Sequence, residues 1–394
     1  MRIPVIITLV FSLLLISSKC SNTVNKFTFS PEENTIDTIL HSKALSPVFE
    51  ALTLLKNQEK NSFSVMHIGD SHIEIGQFSG EIKRQLQENY GAGEVGWMFP
   101  YQLFNSQSSK VFPMDTAGTW KRMTIKNPEV TNVLGITGLG FYLENNQGSI
   151  HFTSNQSYKD VKKVAFLHYY DGKSINFNTT KGKIETQQIT QHSAITTINF
   201  DQDSDKTIHF TNENQLVIYA VKLNPVASKG ISYHKFGVAG STLDQFMNNT
   251  PLFMEQVAYF KPNLLIVSLG TNDSYIDTLN ENRLDKQLTT FIQDIQQQSP
   301  TTTLLFTTAP DTKYRNNRPQ RLTEINRIIR NNVEKNQKVA LWDLHQIMGG
   351  DYSVNAWNKK HLLNNDILHF TPKGYQLQGE LFMHAFDKTN PIRK

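Results

Sequence analysis

An alternation of strand-like and helix-like segments in the last third of the chain constrains its fold most. From about residue 262, short apolar runs alternate with longer segments whose apolar residues recur at helical spacing. The runs predict strands at residues 264–269, 304–308 and 339–344. Strands that alternate with helices form a parallel sheet with helices on both faces. In such a sheet, functional side chains are expected at the carboxyl ends of the strands.

Polar motifs stand where two predicted strands end. Gly69-Asp70-Ser71-His72 follows a strand-like run at residues 63–68, and Gly270-Thr271-Asn272-Asp273 follows the strand at 264–269. A serine in a sharp turn between strand and helix exposes its hydroxyl and directs a helix N-terminus at developing negative charge. Such a serine, taken alone, is more often a helix cap. A third motif, Asp366-Ile367-Leu368-His369 near the C-terminus, strengthens the functional interpretation.

Together the motifs supply the parts of a nucleophilic site. Ser71 is the candidate nucleophile, because a serine hydroxyl attacks only when a base removes its proton. His369 is the candidate base, and Asp366 would hold its ring in the correct tautomer. The candidate oxyanion donors are the backbone N–H groups of Ser71 and Gly240 and the side-chain amide of Asn272.

Three neighbouring polar residues are assigned structural roles. Asp70 is expected to stabilise the turn as an acceptor, and Asp273 to anchor the loop that presents Asn272. His72 is expected to pack beside the site or to form a local hydrogen bond. His67, Asp70 and His72 are also residue types that bind metal ions, but strand alternation directs His67 away from its even-numbered neighbours. No metal and no cofactor are predicted.

Residues 100–230 show a different pattern. Their short runs are rich in β-branched and aromatic residues and are separated by Asn, Asp, Gly, Lys and Ser, which is typical of a β-sandwich. The predicted strands lie at residues 134–136, 140–143, 150–152, 164–170, 195–200, 208–210 and 216–223. Since 394 residues are many for one domain, we predict an all-β domain inserted into an α/β domain.

The N-terminal residues predict export. Arg2 precedes an almost continuous apolar run over residues 3–16, and small residues follow, as in a secretory signal peptide. The run is shorter than the roughly 18–20 residues of a membrane-spanning helix. Cys20 is the only cysteine, so no internal disulfide is expected. It is the candidate lipid anchor of a bacterial lipoprotein, although Lys19 departs from the small residue expected before it; the alternative is a cysteine lost with, or beside, the leader.

Charge excludes one class of partner. The formal net charge is only +4 and Lys and Arg form no run of five or more, so no nucleic-acid partner is predicted. No oligomeric state is predicted.

The motifs resemble those of a known superfamily. Ser71, Gly240, Asn272 and His369 stand in the order of the four namesake positions of the SGNH, or GDSL-type, hydrolases, with Asp366 as the expected acid. The resemblance covers about residues 45–100 and 232–390. It implies a flavodoxin-like three-layer α/β/α fold and ester hydrolysis through an acyl-enzyme, without a cofactor.

Within that superfamily, the chain looks like the peptidoglycan O-acetylesterase group. His72 replaces the usual Leu after the serine, and further markers follow. These are Gly93, Gly96, Trp97 and Pro100, the segment 342–350, and Trp357. The resemblance implies a carbohydrate-binding-like β-insertion and, as substrate, the 6-O-acetyl group of N-acetylmuramic acid. Ala239 departs from the group, whose members often have Asn before the glycine.

The expected organisation is a signal peptide over 1–20, a linker over 21–45, and a discontinuous hydrolase domain over 46–100 and 232–390. The β-sandwich occupies 101–231. The expected location is the periplasm, or the outer membrane through a lipid anchor, of a bacterium.

Three other functions stay open at this point. An esterase acting on another O-acetylated polysaccharide, such as a plant or capsular glycan, would use the same residues. A polysaccharide O-acetyltransferase would use them with a sugar hydroxyl in place of water. A glycan-binding protein would leave the site idle, which the intact Ser71, Asp366 and His369 argue against.

Overall fold

The computed structural model describes residues 38–104, 113–127, 133–145, 147–153, 160–172, 177–201, 205–211, 216–225, 229–248, 250–315 and 317–391. The predicted signal peptide, Cys20 and the first part of the predicted linker lie outside them. Within these ranges, no helix has the length and apolar character needed to cross a membrane.

Strands and helices are numbered in chain order. The strands are β1 (Ser62–Gly69), β2 (Met114–Ala117), β3 (Trp120–Thr124), β4 (Leu139–Leu143), β5 (Gln147–Phe152), β6 (Lys163–Tyr169), β7 (Phe177–Thr179), β8 (Gly182–Thr190), β9 (Ser193–Phe200), β10 (Thr207–Thr211), β11 (Val217–Leu223), β12 (Gly230–Gly237), β13 (Leu264–Ser268), β14 (Thr303–Thr307) and β15 (Val339–Trp342). The helices are α1 (Ser46–Lys56), α2 (Ser71–Ile75), α3 (Gln77–Tyr90), α4 (Leu243–Asn248), α5 (Thr250–Phe260), α6 (Glu281–Gln298), α7 (Leu322–Glu334), α8 (Leu344–Met348), α9 (Ser353–Lys359) and α10 (Pro372–Thr389).

A parallel sheet of five strands forms the centre of the α/β part. Its strand order is β12-β1-β13-β14-β15, and each neighbouring pair is parallel. Numbered by their sequence within this sheet, the strands run 2-1-3-4-5, which is the flavodoxin-like order. The strands predicted at 264–269, 304–308 and 339–344 correspond to β13, β14 and β15, so these predictions are confirmed.

Alternate side chains of β1 enter two separate hydrophobic cores. Phe63 and Val65 pack with apolar residues of α1, α3 and α10. Met66 and Ile68 belong to the other core, which includes residues of α5, α6 and α7. Because successive side chains of a strand point to opposite faces, helices cover both sides of the sheet. The predicted three-layer α/β/α arrangement is confirmed.

The middle of the chain forms two antiparallel sheets. One has four strands in the order β2-β5-β10-β7, and the other has six in the order β3-β4-β11-β6-β9-β8. Side chains of the two sheets meet between them: the ring of Phe166 on β6 lies 6.1 Å from that of Phe152 on β5 and 6.0 Å from that of Phe210 on β10. Sheets that pack face to face in this way form a sandwich, as predicted.

The β-sandwich differs from the sequence predictions in one predicted strand and in several strands that were not predicted. The strand predicted at 134–136 is wrong: these residues are buried but form no strand, and the N–H of Ile136 donates to Gln256 of α5 at 2.8 Å instead. Strands β2, β3 and β7 were not predicted, and neither was β8, because most of its residues are exposed and polar. It is an edge strand paired only with β9, so it needs no apolar face.

Side chains of α5 join the β-sandwich to the α/β part. Besides accepting from Ile136, the buried Gln256 donates through Nε2 to Ser193 Oγ at 3.0 Å. Next to it, Glu255 Oε1 lies 2.9 Å from His192 Nδ1. The sandwich is therefore held against the α/β part by the buried contacts of Gln256, by the partly exposed pair of His192 and Glu255, and by a continuous apolar core.

The predicted domain boundaries stay predictions, but one end of the predicted linker is part of the fold. Ile39 and Leu45 are buried, and the backbone of Leu40 exchanges hydrogen bonds with that of Leu341 at 2.9 and 3.2 Å. These contacts hold residues 39–45 against the last strand of the parallel sheet.

Gly237→Ala should destabilise the protein, whereas Gly80→Ala should stabilise it. A Cβ atom on Gly237, at the end of β12, would collide with the backbone of Glu74 in α2, while nothing lies within 4 Å of a Cβ on Gly80. Overpacking costs about 1–3 kcal/mol, and replacing an exposed helical glycine gains about 0.5–1 kcal/mol. Urea unfolding of both variants measures the two effects; equal midpoints would contradict the tight packing of β12 on α2.

Candidate active site

The predicted site lies where three neighbouring strands end. Strand β1 pairs with β12 on one side and β13 on the other. The chain leaves β1 at Ser71, β12 near Gly240, and β13 near Asn272. The chain passes from β1 to β12 on one side and then to β13 on the other side of β1. The carboxyl ends of these strands therefore form the switch point at which open α/β sheets bind ligands.

The turn that carries Ser71 is fixed by its neighbours. Asp70 caps α2, because its Oδ1 accepts the backbone N–H of His72 at 2.9 Å. A Cβ on Gly69 would lie only 2.6 Å from the carbonyl oxygen of Ser268. Position 69 must therefore be glycine if the ends of β1 and β13 are to lie this close together. The predicted structural role of Asp70 is confirmed.

The structure brings Ser71, His369 and Asp366 into one hydrogen-bonded row. His369 Nε2 lies 3.0 Å from Ser71 Oγ, and His369 Nδ1 lies 2.7 Å from Asp366 Oδ2. A carboxylate oxygen only accepts, so Nδ1 carries the proton and Nε2 presents its lone pair to the serine hydroxyl. This is the tautomer that a general base requires.

The loop before His369 aligns the carboxylate. Asp366 Oδ1 accepts the backbone N–H of Leu368 at 3.0 Å and that of His369 at 2.9 Å. Burial alone would raise the pKa of Asp366, but the hydrogen bonds from the ring and backbone of His369 and from Leu368 outweigh it and lower that pKa. Ile367 has a φ of 55°, a strained backbone conformation for a β-branched residue.

The other two predicted residues lie beside the serine turn. Gly240 has a φ of 76°, which favours glycine. The amide of Asn272 donates to the carbonyl of Ser241 at 2.9 Å and, more weakly, to Asp70 Oδ2 at 3.5 Å. The amide group thus lies between the serine turn and the Gly240 turn. That Gly240 and Asn272 donate to an oxyanion stays a prediction.

Two buried carboxylates hold the Gly240 and Asn272 loops. Glu74 of α2 accepts the backbone N–H of Ala239 at 2.7 Å, which fixes the turn despite the missing asparagine. Asp273 accepts the N–H of Leu243 at 2.9 and 3.0 Å, so its predicted anchoring role is confirmed. Burial raises the pKa of Asp273 to about 7. Glu74 was missed from sequence; its only signal is an acidic residue in the first turn after Ser71.

The residues considered as metal ligands are engaged with one another or with other side chains. His67 Nδ1 lies 2.7 Å from the Tyr233 hydroxyl and Nε2 lies 2.8 Å from Ser268 Oγ, and burial lowers the pKa of His67 to about 3. His72 Nδ1 lies 2.9 Å from Asp70 Oδ1. No group of three side chains suited to a metal ion occurs in the described part of the chain.

A residue of the β-sandwich also reaches this edge. Lys126 follows β3 and is exposed. Its side chain extends over the Gly240 turn, so that a Cβ atom built on Gly240 would lie 2.9 Å from Lys126 Nζ. A positive charge therefore stands beside one of the predicted oxyanion donors. Sequence reasoning missed it, because nothing local connects residue 126 with residue 240.

The geometry of the site is that of a serine hydrolase, and one comparison with known families agrees with it. Residues 218–377 match the GDSL-like lipase/acylhydrolase family. The matched part contains Gly240, Asn272, Asp366 and His369. Ser71 lies outside it, and its hydroxyl donates to His369 Nε2. This part of the chain is similar to that family. The predicted resemblance to SGNH/GDSL-type hydrolases is confirmed, and the match supports the predicted carboxylic ester hydrolase.

One solved structure extends the likeness to most of the chain. A peptidoglycan O-acetylesterase is similar over 89% of this chain and 98% of that chain, with a TM-score of 0.68 and 20% identity. The predicted likeness to that group is thus confirmed for the fold. A lipase/acylhydrolase from Enterococcus faecalis (22% identity, TM-score 0.31) matches over 39% of this chain and 74% of its own. An acetyl xylan esterase (18% identity, TM-score 0.33) matches over 39% and 81%. No curated protein sequence matches.

Asp366→Asn should lower kcat for p-nitrophenyl acetate by about 10⁴-fold. Two backbone N–H groups face Oδ1, so the amide oxygen would stay there and the NH₂ group would face His369. That arrangement moves the ring proton to Nε2, where it blocks proton removal from Ser71. The exposed Asp277 provides a control, since Asp277→Asn should retain full activity. Wild-type kcat in Asp366→Asn would contradict the arrangement.

Proposed function

We propose that the protein is a secreted serine esterase that removes O-acetyl groups from peptidoglycan, at the 6-O position of N-acetylmuramic acid. The observation that carries the proposal is the row of hydrogen bonds from Asp366 through His369 to Ser71 at the switch point of the sheet. The two-part architecture supports the choice of substrate, since it is shared with a peptidoglycan O-acetylesterase over most of both chains.

In the first half of the reaction, His369 Nε2 removes the proton of Ser71 as Oγ attacks the acetyl carbonyl. The resulting oxyanion accepts hydrogen bonds from the backbone N–H groups of Ser71 and Gly240 and from the Asn272 amide. The weak 3.5 Å bond from Asn272 to Asp70 is the one that the oxyanion replaces. The C–O bond to the sugar then breaks, and the sugar oxygen takes the proton from His369, leaving an acetyl-enzyme.

In the second half, His369 removes a proton from a water molecule that attacks the acetyl-enzyme. The tetrahedral intermediate uses the same donors and collapses to acetate, while the proton returns to Ser71 Oγ. Asp366 stays ionised and stabilises the imidazolium that forms twice in the cycle. Neither half requires a cofactor.

Lys126 supports an anionic glycan rather than a neutral one. Its ammonium lies beside the Gly240 turn. Peptidoglycan carries carboxylates on its peptides, whereas acetylated xylan has few charges near its acetyl groups. An ammonium in this place attracts the former and contributes little to binding of the latter.

The proposal includes export. A peptidoglycan esterase acts outside the cytoplasmic membrane, and the apolar run over residues 3–16 behind Arg2 has the character of a secretory leader. Cys20 is proposed as the lipid anchor of the mature protein in the periplasm. Mass spectrometry of the mature N-terminus tests both points: an unprocessed chain would contradict export, and an unmodified N-terminus would contradict lipidation.

Ser71→Ala should lower acetate release from O-acetylated peptidoglycan by at least about 10⁴-fold, because no other oxygen can form the acyl-enzyme. Ser62→Ala, at the exposed other end of β1, is the matched control and should keep wild-type activity. Acetate is measured enzymatically after incubation with purified wall material. Equal release by Ser71→Ala would contradict the mechanism.

The same assay separates the alternatives for the substrate and the acceptor. Faster acetate release from acetylated xylan than from O-acetylated peptidoglycan would keep the esterase and overturn its assignment to the cell wall. Transfer of acetyl to an added glycan in excess of hydrolysis would identify an acetyltransferase instead.

Lys126→Ala should raise KM for peptidoglycan by about two- to five-fold, the range expected for one exposed charge pair. The effect should shrink at high salt, which screens such pairs, and should be smaller for p-nitrophenyl acetate, which has no carboxylate. Lys121→Ala, on β3 and already paired with Glu144, is the control. Equal KM values for wild type and Lys126→Ala at low salt would contradict the role of Lys126.

A further inference from the structure

His72 lies next to the nucleophile but takes no part in the proton transfers described above. Its side chain is 9% exposed. Nδ1 lies 2.9 Å from Asp70 Oδ1, and Nε2 lies 3.3 Å from the carbonyl oxygen of Leu368. Carboxylate and carbonyl oxygens only accept hydrogen bonds. Both ring nitrogens must therefore donate, and only the doubly protonated imidazolium can satisfy both contacts at once.

The two partners of His72 belong to the two segments that must meet for catalysis. Asp70 immediately precedes Ser71, and Leu368 immediately precedes His369. The ring of His72 also lies 5.6 Å from that of His369, and the rings of Phe370 and Tyr375 lie 6.0 and 5.9 Å from it. His72 thus connects the nucleophile turn to the loop of the base across a packed contact.

Asp70 also connects His72 to Asn272, the third part of the site. Asp70 uses Oδ1 to accept from His72 and lies within 3.5 Å of the Asn272 amide through Oδ2. Asp70 is 1% exposed, and a buried carboxylate requires a compensating charge or several donors. A cationic His72 meets that requirement and leaves the Asp70 carboxylate oriented toward Asn272.

We propose that His72 is a positioning residue whose imidazolium form joins Asp70 to the Leu368 carbonyl and so holds Ser71, His369 and Asn272 in reacting geometry. This inference rests on the proposed roles of those three residues. It adds to them a cation that touches no reacting atom.

The surroundings of His72 favour this charged form. The titratable groups that face it are Asp70 on its own turn, Asp366 and His369 on the loop of the base, and Tyr375 on α10. Burial lowers the pKa of His72, but the charge and hydrogen bond of Asp70, the Leu368 carbonyl and the more distant Asp366 outweigh it, and the pKa is raised.

The direction of this shift sets the direction of the pH dependence. The pKa of His72 is higher in the folded protein than the ordinary 6.5. Protonated His72 therefore stabilises the folded state fully below pH 6.5, and this stabilisation is lost as the pH rises through the raised pKa. Activity that depends on the contact should therefore fall on the alkaline side.

The test compares wild type with His72→Gln, which cannot titrate and cannot donate along both directions of the ring. With p-nitrophenyl acetate, corrected for spontaneous hydrolysis, kcat of His72→Gln should be lower by about ten- to a hundred-fold, as for a small misplacement of reacting groups. KM should stay unchanged, and the alkaline fall of kcat expected for wild type should be absent from the variant. His384→Gln, an exposed histidine on α10, should keep the wild-type profile.

Thermal unfolding gives a second readout. The difference in Tm between wild type and His72→Gln should be larger at about pH 6 than at about pH 9, since the contact is lost at the higher pH. A wild-type kcat in His72→Gln, or an unchanged alkaline limb, would overturn the proposal. So would a Tm difference that does not depend on pH.

A direct measurement keeps the proposal testable even if the variant does not fold. The ¹⁵N chemical shifts of the His72 ring in the wild-type protein should show both nitrogens protonated at about pH 6.5. A neutral ring would overturn the proposal whatever the activity of the protein. Failure of the proposed function would show differently, as unchanged acetate release in Ser71→Ala.

Discussion

The parallel pairing of β1 with both β12 and β13 is the constraint on which the site depends. The three strands end together, and small residues let their ends come close: Gly69 nearly touches the backbone of Ser268, and Gly237 packs on that of Glu74. Three loops that are distant in sequence therefore leave the sheet side by side. The backbone of the sheet sets the separation of the serine, the glycine turn and the asparagine, and the carboxylates of Glu74 and Asp273 hold the loops that carry the last two.

The base reaches the serine from outside this framework. His369 lies in the loop before α10 rather than at the end of one of the three strands. Its position depends on side-chain and turn hydrogen bonds, those of Asp366 to its own loop and of His72 to the Leu368 carbonyl. The site thus combines a rigid half, set by strand register, with a half that is held by polar contacts and that responds to protonation.

The sequence predicted those parts of the site that depend on neighbouring residues, and missed those that depend on residues far apart in the chain. The ends of β1 and β13 and the polar motifs that follow them are local, so Ser71 and Asn272 could be assigned from short segments. The motif order in a known superfamily, rather than any local pattern, joined them to Gly240 and His369. Glu74 and Lys126 act through partners far away in the chain, Ala239 and the Gly240 turn, and no local signal identified them.

The β-sandwich shows the same limit in its own fold. Residues 134–136 have the composition of a strand, yet a side chain of α5 takes the backbone hydrogen bond that a neighbouring strand would have taken. Strand β8 has the opposite character, because its polar residues suit an exposed edge. In both places the environment, which the sequence does not display locally, decides the secondary structure.

The left-handed backbone of Ile367 has a consequence for how this enzyme can change. A β-branched residue in that conformation costs about 1–3 kcal/mol, and the turn that contains it returns the Asp366 carboxylate to the imidazole. Glycine or asparagine would relax the turn and also widen its range of motion. Selection for heat resistance would therefore favour replacing Ile367, while selection for fast turnover would favour keeping it, so durability and speed compete at a single position in the chain.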